Sequence, residues 1–299
     1  MSRADKVELA EREGGRLFGV AYRLLGTVAD AEDAVQETLL RWEQTDQAAV
    51  ENPPGWLTTV LTRYCLDLLR SARARREAYV GPWLPEPLVE VGDKAAEDPE
   101  ERAMLDESVS LAMLDVLQSL SPAERAFFVL HDVFGMSFDE VGSTVGRTAA
   151  ACRHMASRAR RHVEERRPRF DPDAAEQRRV VAAFLEASVE GELDVLLPLL
   201  DPSVVLRADG GGKVRAARQP VAGAERVARV LLAGRTWYPV VAGRLVAVNG
   251  GTGLLITVDD EVGGRGRHRR RRRADHRDRP RRQPRQARMV RRAAASPSG

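Results

Sequence analysis

Three helix starts follow one another within residues 120–163, and their spacing constrains the fold more than any other stretch of the chain. Ser121 and Ser137 each stand three residues before a glutamate, so each can cap a helix while that glutamate accepts a hydrogen bond from the cap's own N–H. Gly146 can take the positive φ of a sharp turn, and Thr148 can cap the next helix. The pattern predicts three consecutive helices joined by short turns.

The third of these helices has two chemically different faces. An apolar stripe recurs at spacings of three and four and is predicted to pack inward: Cys152, Met155, Ala156, Ala159 and Val163. The opposite face carries Arg153, His154, Ser157, Arg158, Arg160 and Arg161. Residues 147–169 contain eight Arg and two Glu, which is more positive charge than a solvated helix in an ordinary bundle requires. A short helix, a glycine turn and an arginine-faced helix predict a helix-turn-helix whose second helix enters the major groove of DNA.

Length and composition limit the classes of protein that this chain can belong to. Its 299 residues are enough for two or three domains. There is no apolar run of about 18 residues, and the N-terminus lacks the apolar segment of a signal peptide, so we expect a cytoplasmic protein without a membrane span. Cys65 and Cys152 both fall on apolar helix faces, which predicts buried free thiols rather than a disulfide or a metal site.

The formal net charge of +3 hides two opposite parts of the chain. Residues 262–299 contain 15 Arg, no Lys and 2 Asp, whereas the preceding residues contain 32 basic and 42 acidic side chains. Within this acidic body, positive charge is concentrated at Arg70–Arg76 and Arg147–Arg169. Localised basic patches on an acidic body are typical of a protein that contacts DNA phosphates at defined places.

The N-terminal part of the chain has helical periodicity. A first helix is predicted from Glu8 to Leu25, ending at Gly26, and Asp30 is predicted to cap a second. After a break at residues 51–55, a third helix is predicted from Trp56 to Arg70. The predicted inward residues of the second helix are Val35, Leu39, Leu40 and Trp42. Its predicted outer residues are Glu32, Asp33, Gln36 and Glu37.

The helical pattern stops in residues 79–102. Three prolines within eight residues and a following acidic stretch predict a linker of about 20 residues. Trp83 and Leu84 are large apolar side chains, which are not normally left in water, so we expect the linker to dock on a surface. A second helical domain is predicted to begin at Ala103.

The C-terminal third alternates helices with short strands. Helices are predicted at Asp173–Ser188, Leu193–Leu200 and Ala224–Leu232, and strands at Val204–Arg207, Val240–Val248 and Leu254–Val258. Helices followed by an antiparallel sheet indicate an α+β domain. No set of histidine and carboxylate groups and no nucleophile pair points to chemistry, so we expect neither an enzyme nor a cofactor.

These residues together resemble the sigma-70 family of bacterial RNA polymerase initiation factors, in particular the small extracytoplasmic-function type with only regions 2 and 4. The segment Asp33–Glu37 resembles the part of region 2 that binds the largest polymerase subunit, which implies contacts from Asp33, Gln36 and Glu37 to core polymerase. The resemblance also implies that the loop Gln44–Gly55 and the helix Trp56–Arg70 capture and melt the −10 promoter element, and that the helix after Thr148 reads the −35 element. The implied −10 residues are Asn52, Trp56, Thr59, Arg63, Arg70 and Arg73. The implied −35 residues are Arg147, Arg153, His154, Ser157, Arg158 and Arg161.

Two further motifs resemble those of a subgroup with a fused SnoaL-like domain. The linker motif is matched by Trp83, Leu84, Pro85, Glu86, Pro87 and Leu88. The signature loop of the third domain is matched by Asp209, Gly210, Gly211, Gly212 and Lys213. The resemblance covers about residues 5–260. It implies that the fused domain tunes the factor, that promoter DNA and core polymerase are the partners, and that no separate anti-sigma factor is needed. A small-molecule ligand of the third domain is left open.

The chain departs from the subgroup after Glu261. The subgroup continues with strands and a C-terminal NPDKL motif, whereas residues 262–299 have no strand periodicity and cannot bury a core. A genuine basic tail that binds nucleic acid is one interpretation. A reading-frame shift near residue 262 is the other and the preferred one, because codons compatible with Arg282–Arg288 encode Asn-Pro-Asp-Lys-Leu one base later. Sequencing the gene across this region tests the hypothesis.

The sequence therefore predicts a mainly α N-terminal two-thirds, containing two helical domains, followed by an incomplete α+β cone domain. The predicted boundaries are 5–78 for region 2, 79–102 for the linker, 103–168 for region 4, 172–261 for the SnoaL-like domain and 262–299 for the tail. Two alternatives stay open at this point. One is a conventional helix-turn-helix regulator, and the other is a SnoaL-like enzyme with an attached DNA-binding module.

Overall fold

The computed structural model describes residues 3–77, 82–90, 110–166, 174–191, 193–211, 216–237 and 240–258. The chain divides into two compact units. The first comprises Met1–Asp171 and also the short segment Ala247–Gly251. The second comprises Pro172–Val246 and Thr252–Gly299. The first unit is mainly helical and the second is α+β with short strands, as the sequence predicted.

Helices α1 (Arg3–Leu25), α2 (Val28–Gln44) and α3 (Pro53–Glu77) form the N-terminal part of the first unit. Gly26 ends α1 with a φ of +79°, in agreement with the prediction. The prediction that Asp30 caps α2 was wrong. Thr27 is the cap, and its hydroxyl accepts a hydrogen bond from the Asp30 N–H, because Asp30 lies one turn inside the helix.

The start of α3 also differs from the prediction. The helix begins at Pro53 rather than Trp56, and it continues to Glu77. Proline fits the first turn of a helix because its missing N–H would have no partner there. The Asn52 side chain accepts a hydrogen bond from the Gly55 N–H at 3.1 Å, which satisfies one of the first-turn donors. The prolines therefore begin this helix instead of breaking it.

Among the described residues, the remainder of the first unit contains strand β1 (Val89–Glu90) and four further α-helices. These are α4 (Leu111–Gln118), α5 (Pro122–Phe127), α6 (Phe138–Val145) and α7 (Ala149–Arg166). A π-helical segment, Phe128–Val133, extends α5. The predicted start of the second helical domain at Ala103 lies outside the described residues.

One hydrophobic cluster runs through the first unit. It includes buried side chains from α1, α2 and α3 together with others from α4 to α7, so the N-terminal helices and the helix-turn-helix share a core. The largest fully buried side chains in it are Tyr22, Trp42, Phe127, Leu17, Leu24, Leu57, Leu61, Leu114, Leu117 and Leu130. Cys65 and Cys152 are buried free thiols, as predicted.

The second unit has its own core. Its elements are α8 (Ala174–Glu190), α9 (Leu193–Leu196) with a 3₁₀ turn, β2 (Val205–Leu206), β3 (Val221–Ala222), α10 (Ala224–Trp237), β4 (Val240–Val248) and β5 (Gly251–Val258). Strands β2 and β3 pair antiparallel. The buried residues include Phe184, Ala187, Leu196, Leu206, Val227, Ala228 and Leu231. The predicted helices and strands of this region are present, although β2 is shorter than predicted and the predicted helix Leu193–Leu200 is α-helical only to Leu196. Strand β3 was not predicted.

Strands β4 and β5 are joined by the two-residue turn Asn249-Gly250. Both residues have positive φ, 51° and 74°, which is the conformation of a type I′ hairpin turn. The turn belongs to the first unit. There β1 pairs antiparallel with the end of β4, with Val89 opposite Val248 and Glu90 opposite Ala247. Among the described helices, none is both long and apolar enough to cross a membrane.

Candidate nucleic-acid interface

The helix-turn-helix is built by the local signals that predicted it. Ser137 caps α6, and its N–H and O–H donate to the Glu140 carboxylate at 2.8 and 2.7 Å. These hydrogen bonds lower the pKa of the Glu140 carboxyl below its ordinary value. Gly146 ends α6 with a φ of +69°, and the Thr148 hydroxyl accepts the Ala151 N–H at 3.2 Å to begin α7. Both capping boxes, at Ser121 and Ser137, are confirmed.

Helix α7 has the two faces that its sequence predicts. The five residues of the apolar stripe, Cys152, Met155, Ala156, Ala159 and Val163, are all buried. The six residues implied for the −35 element, Arg147, Arg153, His154, Ser157, Arg158 and Arg161, are all exposed. The helix therefore presents a basic surface to solvent while its apolar side anchors it to the core.

Intramolecular partners hold some of these arginines. The Arg158 guanidinium lies 3.3 Å from the Glu124 carboxylate, and the Arg153 guanidinium lies over the Phe138 ring at 5.9 Å from its centroid. Arg160, which was not in the implied −35 set, pairs with Asp132 at 2.6 Å. Exposed ion pairs contribute at most about 1 kcal/mol, so a phosphate or a base edge can replace Glu124 as the partner of Arg158.

The residues implied for the −10 element lie along α3 and just before it. Trp56 is half-buried against Trp42, with ring centroids 5.2 Å apart. Arg70 is exposed and pairs with Asp67 at 2.7 Å. Asn52 caps α3, as described above. Arg73 belongs to α3, but its side chain is outside the described part of the structure.

Two further residues of this set contact the helix-turn-helix. The hydroxyl oxygens of Thr59 and Thr144 lie 3.2 Å apart. Arg63 donates from Nε to the Thr144 carbonyl at 3.1 Å and from Nη2 to the Ser143 carbonyl at 2.9 Å. The structure thus brings α3 and the C-terminal end of α6 together, which the sequence did not predict.

The acidic face of α2 is accessible. Asp33 and Gln36 are exposed, and Glu37 pairs with Arg41 at 2.9 Å. The prediction that Leu40 faces inward was wrong, because its side chain is 52% exposed. It lies two residues from the buried Trp42, and two residues rotate by about 200° around a helix. Leu40 therefore adds an apolar group to the exposed side of α2.

The linker motif docks on helices α1 and α2 within the first unit, which confirms the expectation from its apolar residues. Leu84 is buried, and the Glu86 N–H donates to the Gly26 carbonyl at 2.7 Å. The Glu86 carboxylate accepts the Val28 N–H at 3.2 Å, at the first turn of α2. A Cβ on Gly26 would lie 2.9 Å from the Trp83 ring, so the linker needs glycine at this position.

Sequence reasoning missed the residues that hold the end of this motif. The Asn249 Oδ1 accepts the Leu88 N–H at 2.9 Å, and the Asn249 N–H donates to the Leu88 carbonyl at 3.0 Å. The Asn249 Nδ2 donates to the Tyr22 hydroxyl at 3.0 Å, and that hydroxyl donates to the Glu86 carbonyl. The available signal was Asn249-Gly250 between two apolar runs, which indicates a hairpin turn.

The second signature loop is only partly described. The Asp209 carboxylate accepts the Gly211 N–H at 2.8 Å, and Gly211 has a φ of +56°. Gly210 is half-buried. Gly212 and Lys213 lie outside the described residues, and so do residues 259–299 with the predicted tail.

Comparisons with known proteins agree with the two helical regions. The model of sigma-70 region 2 matches residues 9–75, and the model of sigma-70 region 4 matches residues 110–163. The extracytoplasmic-function (ECF) RNA polymerase sigma factor SigJ of Mycobacterium tuberculosis is 44% identical over 230 residues, covering 76% of this chain and 72% of SigJ. The chain belongs to the ECF sigma factors of the sigma-70 family.

Two further comparisons cover a larger part of this chain. The probable ECF sigma factor SigI of M. tuberculosis is 36% identical over 270 residues, covering 88% of this chain and 89% of SigI. The crystal structure of M. tuberculosis SigJ superposes with a TM-score of 0.68 at 40% identity, covering 84% of each chain. A conventional regulator would leave the match to region 2 unexplained, so that alternative is set aside. The comparisons do not support the expected absence of a separate anti-sigma factor, which stays a prediction.

Proposed function

We propose that this ECF sigma factor directs core RNA polymerase to promoters by reading the −35 element with α7 and the −10 element with α3. The observation that carries the proposal is the exposed basic face of α7, held on a buried apolar stripe in a helix-turn-helix. The third domain, which resembles SnoaL-like domains, tunes this activity, and the factor itself performs no covalent chemistry.

The chemistry of α7 supports its role at the −35 element. Arginine can donate two hydrogen bonds to the major-groove edge of guanine, and serine and histidine can contact bases or phosphates. Arg153, Ser157 and Arg158 are exposed on α7, whereas Arg147 lies just before the helix and Arg161 lies in its C-terminal half. We propose that Arg153, Ser157 and Arg158 read base edges and that Arg147 and Arg161 contact phosphates.

The chemistry of α3 supports a role at the −10 element. Trp56 can stack on an unpaired base, and Arg70 and Arg73 can neutralise phosphates of a melted strand. Asn52 and Trp56 lie at the start of the helix and Arg70 near its end, so the proposed surface runs along α3.

We propose that core polymerase binds the exposed face of α2. This face carries Asp33, Gln36 and Glu37 and also the exposed Leu40.

The linker is the proposed route of regulation. Trp83–Leu88 is held on the first unit at Gly26, and Leu88 is held by Asn249. Asn249 lies in the turn between two strands whose remaining residues belong to the second unit. A change of conformation or of ligand in the second unit could therefore reach the linker through this turn. The factor would need no separate anti-sigma protein.

Run-off transcription with purified core polymerase tests the proposal, using a promoter from the region upstream of this gene. Arg153→Ala should lower discrimination between the cognate −35 element and a mutated one by about 1 to 3 kcal/mol if Arg153 reads a base edge. Arg160→Ala is the matched control, because Arg160 lies on the same helix but pairs with Asp132. Its discrimination should equal that of the wild type.

Two outcomes would contradict the proposal. If no transcript requires both the folded protein and core polymerase, the proposal that α7 and α3 direct polymerase to promoters fails. If Arg153→Ala and Arg158→Ala keep full promoter selectivity, α7 is not the −35 reader. A chain that ends near Arg169 separately tests modulation, since equal activity of this chain and the full chain at every promoter would remove the regulatory role of the third domain.

A further inference from the structure

The partner of Arg153 differs in kind from the partners of its neighbours on α7. Arg158 and Arg160 lie 3.3 and 2.6 Å from carboxylate oxygens, and each ion pair directs guanidinium N–H groups toward a carboxylate. Arg153 lies instead over the Phe138 ring, with its Cζ atom 5.9 Å from the ring centroid. An aromatic face attracts a cation through the charge distribution of the ring, so the N–H donors of Arg153 stay available to another acceptor.

The Phe138 ring is held in place at the start of α6. Its centroid lies 4.3 Å from that of the His131 ring and 5.5 Å from that of the fully buried Phe127 ring. The His131 Nδ1 donates to the Met136 carbonyl at 2.6 Å, which ties the same stack to the turn before α6. The capping box at Ser137 begins the helix directly before the ring. The position of the ring is therefore set by contacts that do not involve α7.

A close approach of α6 to the start of α7 brings this ring next to Arg153. Gly142 follows Phe138 by four residues, so the two positions share one face of α6. A Cβ at Gly142 would lie 2.8 Å from the Arg147 carbonyl, so a side chain there would displace the backbone of the turn. The same Cβ would lie 3.6 Å from the Cys152 sulfur, which directly precedes Arg153 on α7. The approach of the two helices therefore fixes which α7 side chain meets the ring.

We propose that Phe138 is a positioning residue for promoter recognition, whose ring holds the Arg153 side chain ready to donate to a base edge of the −35 element. This inference rests on the proposed function, since it assumes that α7 reads that element. An arginine that is already ordered loses less conformational entropy when it binds DNA. Among the described residues Arg153 also has no ion pair to break, whereas Arg158 must leave Glu124.

Selectivity measurements with the full chain bound to core polymerase test the role of the ring. Selectivity is the ratio of the affinities for the cognate −35 element and for each of its single-base-pair substitutions. Phe138→Leu removes the aromatic face and keeps an apolar side chain. Its selectivity should fall about two- to fivefold, the effect of one exposed cation–π contact. The loss should be confined to the base pairs at which Arg153→Ala also loses selectivity.

A double-mutant cycle separates positioning from a structural role. In the Arg153→Ala background, Phe138→Leu should leave selectivity unchanged, because the side chain that the ring positions is gone. A purely structural role would lower selectivity equally in both backgrounds. Phe128→Leu is the matched control. It removes another half-buried ring from the same part of the first unit, one that is not among the described partners of Arg153, and it should keep the selectivity of the wild type.

A second variant keeps the shape of the ring and so does not depend on the folding of Phe138→Leu. Replacement of Phe138 by 3,4,5-trifluorophenylalanine retains the packing against His131 and withdraws electron density from the face that Arg153 covers. Selectivity should fall at the same base pairs as in Phe138→Leu. The midpoint of thermal unfolding should equal that of the wild type.

The outcomes separate this inference from the proposed function. If both Phe138 variants keep wild-type selectivity, or if their loss is the same with and without Arg153, the ring does not position Arg153 and the inference is overturned while the proposed function stands. If Arg153→Ala keeps full selectivity and Arg158→Ala loses it, α7 reads DNA without Arg153 and the inference is again overturned. If both arginine variants keep full selectivity, the proposed role of α7 itself fails.

Discussion

Replacing Asn249 by glycine should loosen the end of the linker motif, at Leu88, from the β4–β5 turn and from Tyr22 of α1. The Asn249 side chain is 4% exposed, its Oδ1 accepts the Leu88 N–H at 2.9 Å, and its Nδ2 donates to the Tyr22 hydroxyl at 3.0 Å. Glycine accepts the same positive φ of 51° without strain, so the turn itself should persist. The substitution therefore removes the side-chain contacts and leaves the hairpin.

The magnitude follows from the two lost hydrogen bonds. Each contributes about 1 kcal/mol net, and the backbone hydrogen bond from the Asn249 N–H to the Leu88 carbonyl remains. Glycine gains more conformational entropy than asparagine when the turn opens, but it adopts the left-handed conformation without steric cost. These two effects oppose each other. The local opening free energy should fall by about 2 kcal/mol, which corresponds to roughly 30-fold faster amide exchange at Leu88 and Glu86.

Hydrogen exchange on the full chain measures this effect directly. Tyr22→Phe is the comparison variant, since it removes the acceptor of the Asn249 Nδ2 and keeps the Asn249 oxygen that accepts the Leu88 N–H, so exchange at Leu88 should rise less than in Asn249→Gly. Combining Asn249→Gly with Tyr22→Phe should reveal a coupling of about 1 kcal/mol, because the two side chains share a hydrogen bond. Exchange at Leu88 that stays within twofold of the wild type would refute the reasoning.

Three further predictions concern the rest of the first unit. Glu37→Lys should weaken co-purification with core polymerase without unfolding the protein. Glu43→Lys, on the same helix, is the control and should leave co-purification unchanged. Equal loss of co-purification in both variants would indicate a general charge effect. Burial raises the pKa of the Cys65 thiol from 9.0 to about 12. Because the thiol ionises more readily in the unfolded chain, the free energy of unfolding should fall as pH rises above about 9. Both Cys65 and Cys152 should resist alkylation near pH 8 until the chain is unfolded. Gly146→Ala should destabilise the fold by about 1 kcal/mol in a denaturant titration, because alanine is strained at a φ of +69°; an unchanged midpoint would count against the turn geometry.

Local signals predicted the helix-turn-helix well. Ser121, Ser137, Gly146 and Thr148 act on residues within four positions along the chain, so their hydrogen bonds need no tertiary context. The apolar stripe of α7 follows from helical periodicity alone. The errors arose where neighbouring signals compete. Asp30 is a good capping residue by type, but Thr27, which lies one turn earlier and is also a good cap, takes the cap position of α2.

The sequence by itself determined the fold class, the order of the main helices and of strands β2, β4 and β5, and the resemblance to ECF sigma factors. These depend on periodicity, on caps and on motifs such as Trp83–Leu88, all of which are written in consecutive residues. The −10, −35 and core-binding residues could be named in the same way, and their roles remain to be measured. The sequence also indicated that the linker docks, because Trp83 and Leu84 require a covering surface.

Only the tertiary structure decided which surfaces meet. Arg63 and Ser143 are 80 residues apart in sequence, and Tyr22 and Asn249 are 227 apart. No periodicity links such pairs, since a buried polar side chain finds its partner through the packing of whole elements. The contact between α3 and α6 and the hold of Asn249 on the linker are therefore properties of the folded chain.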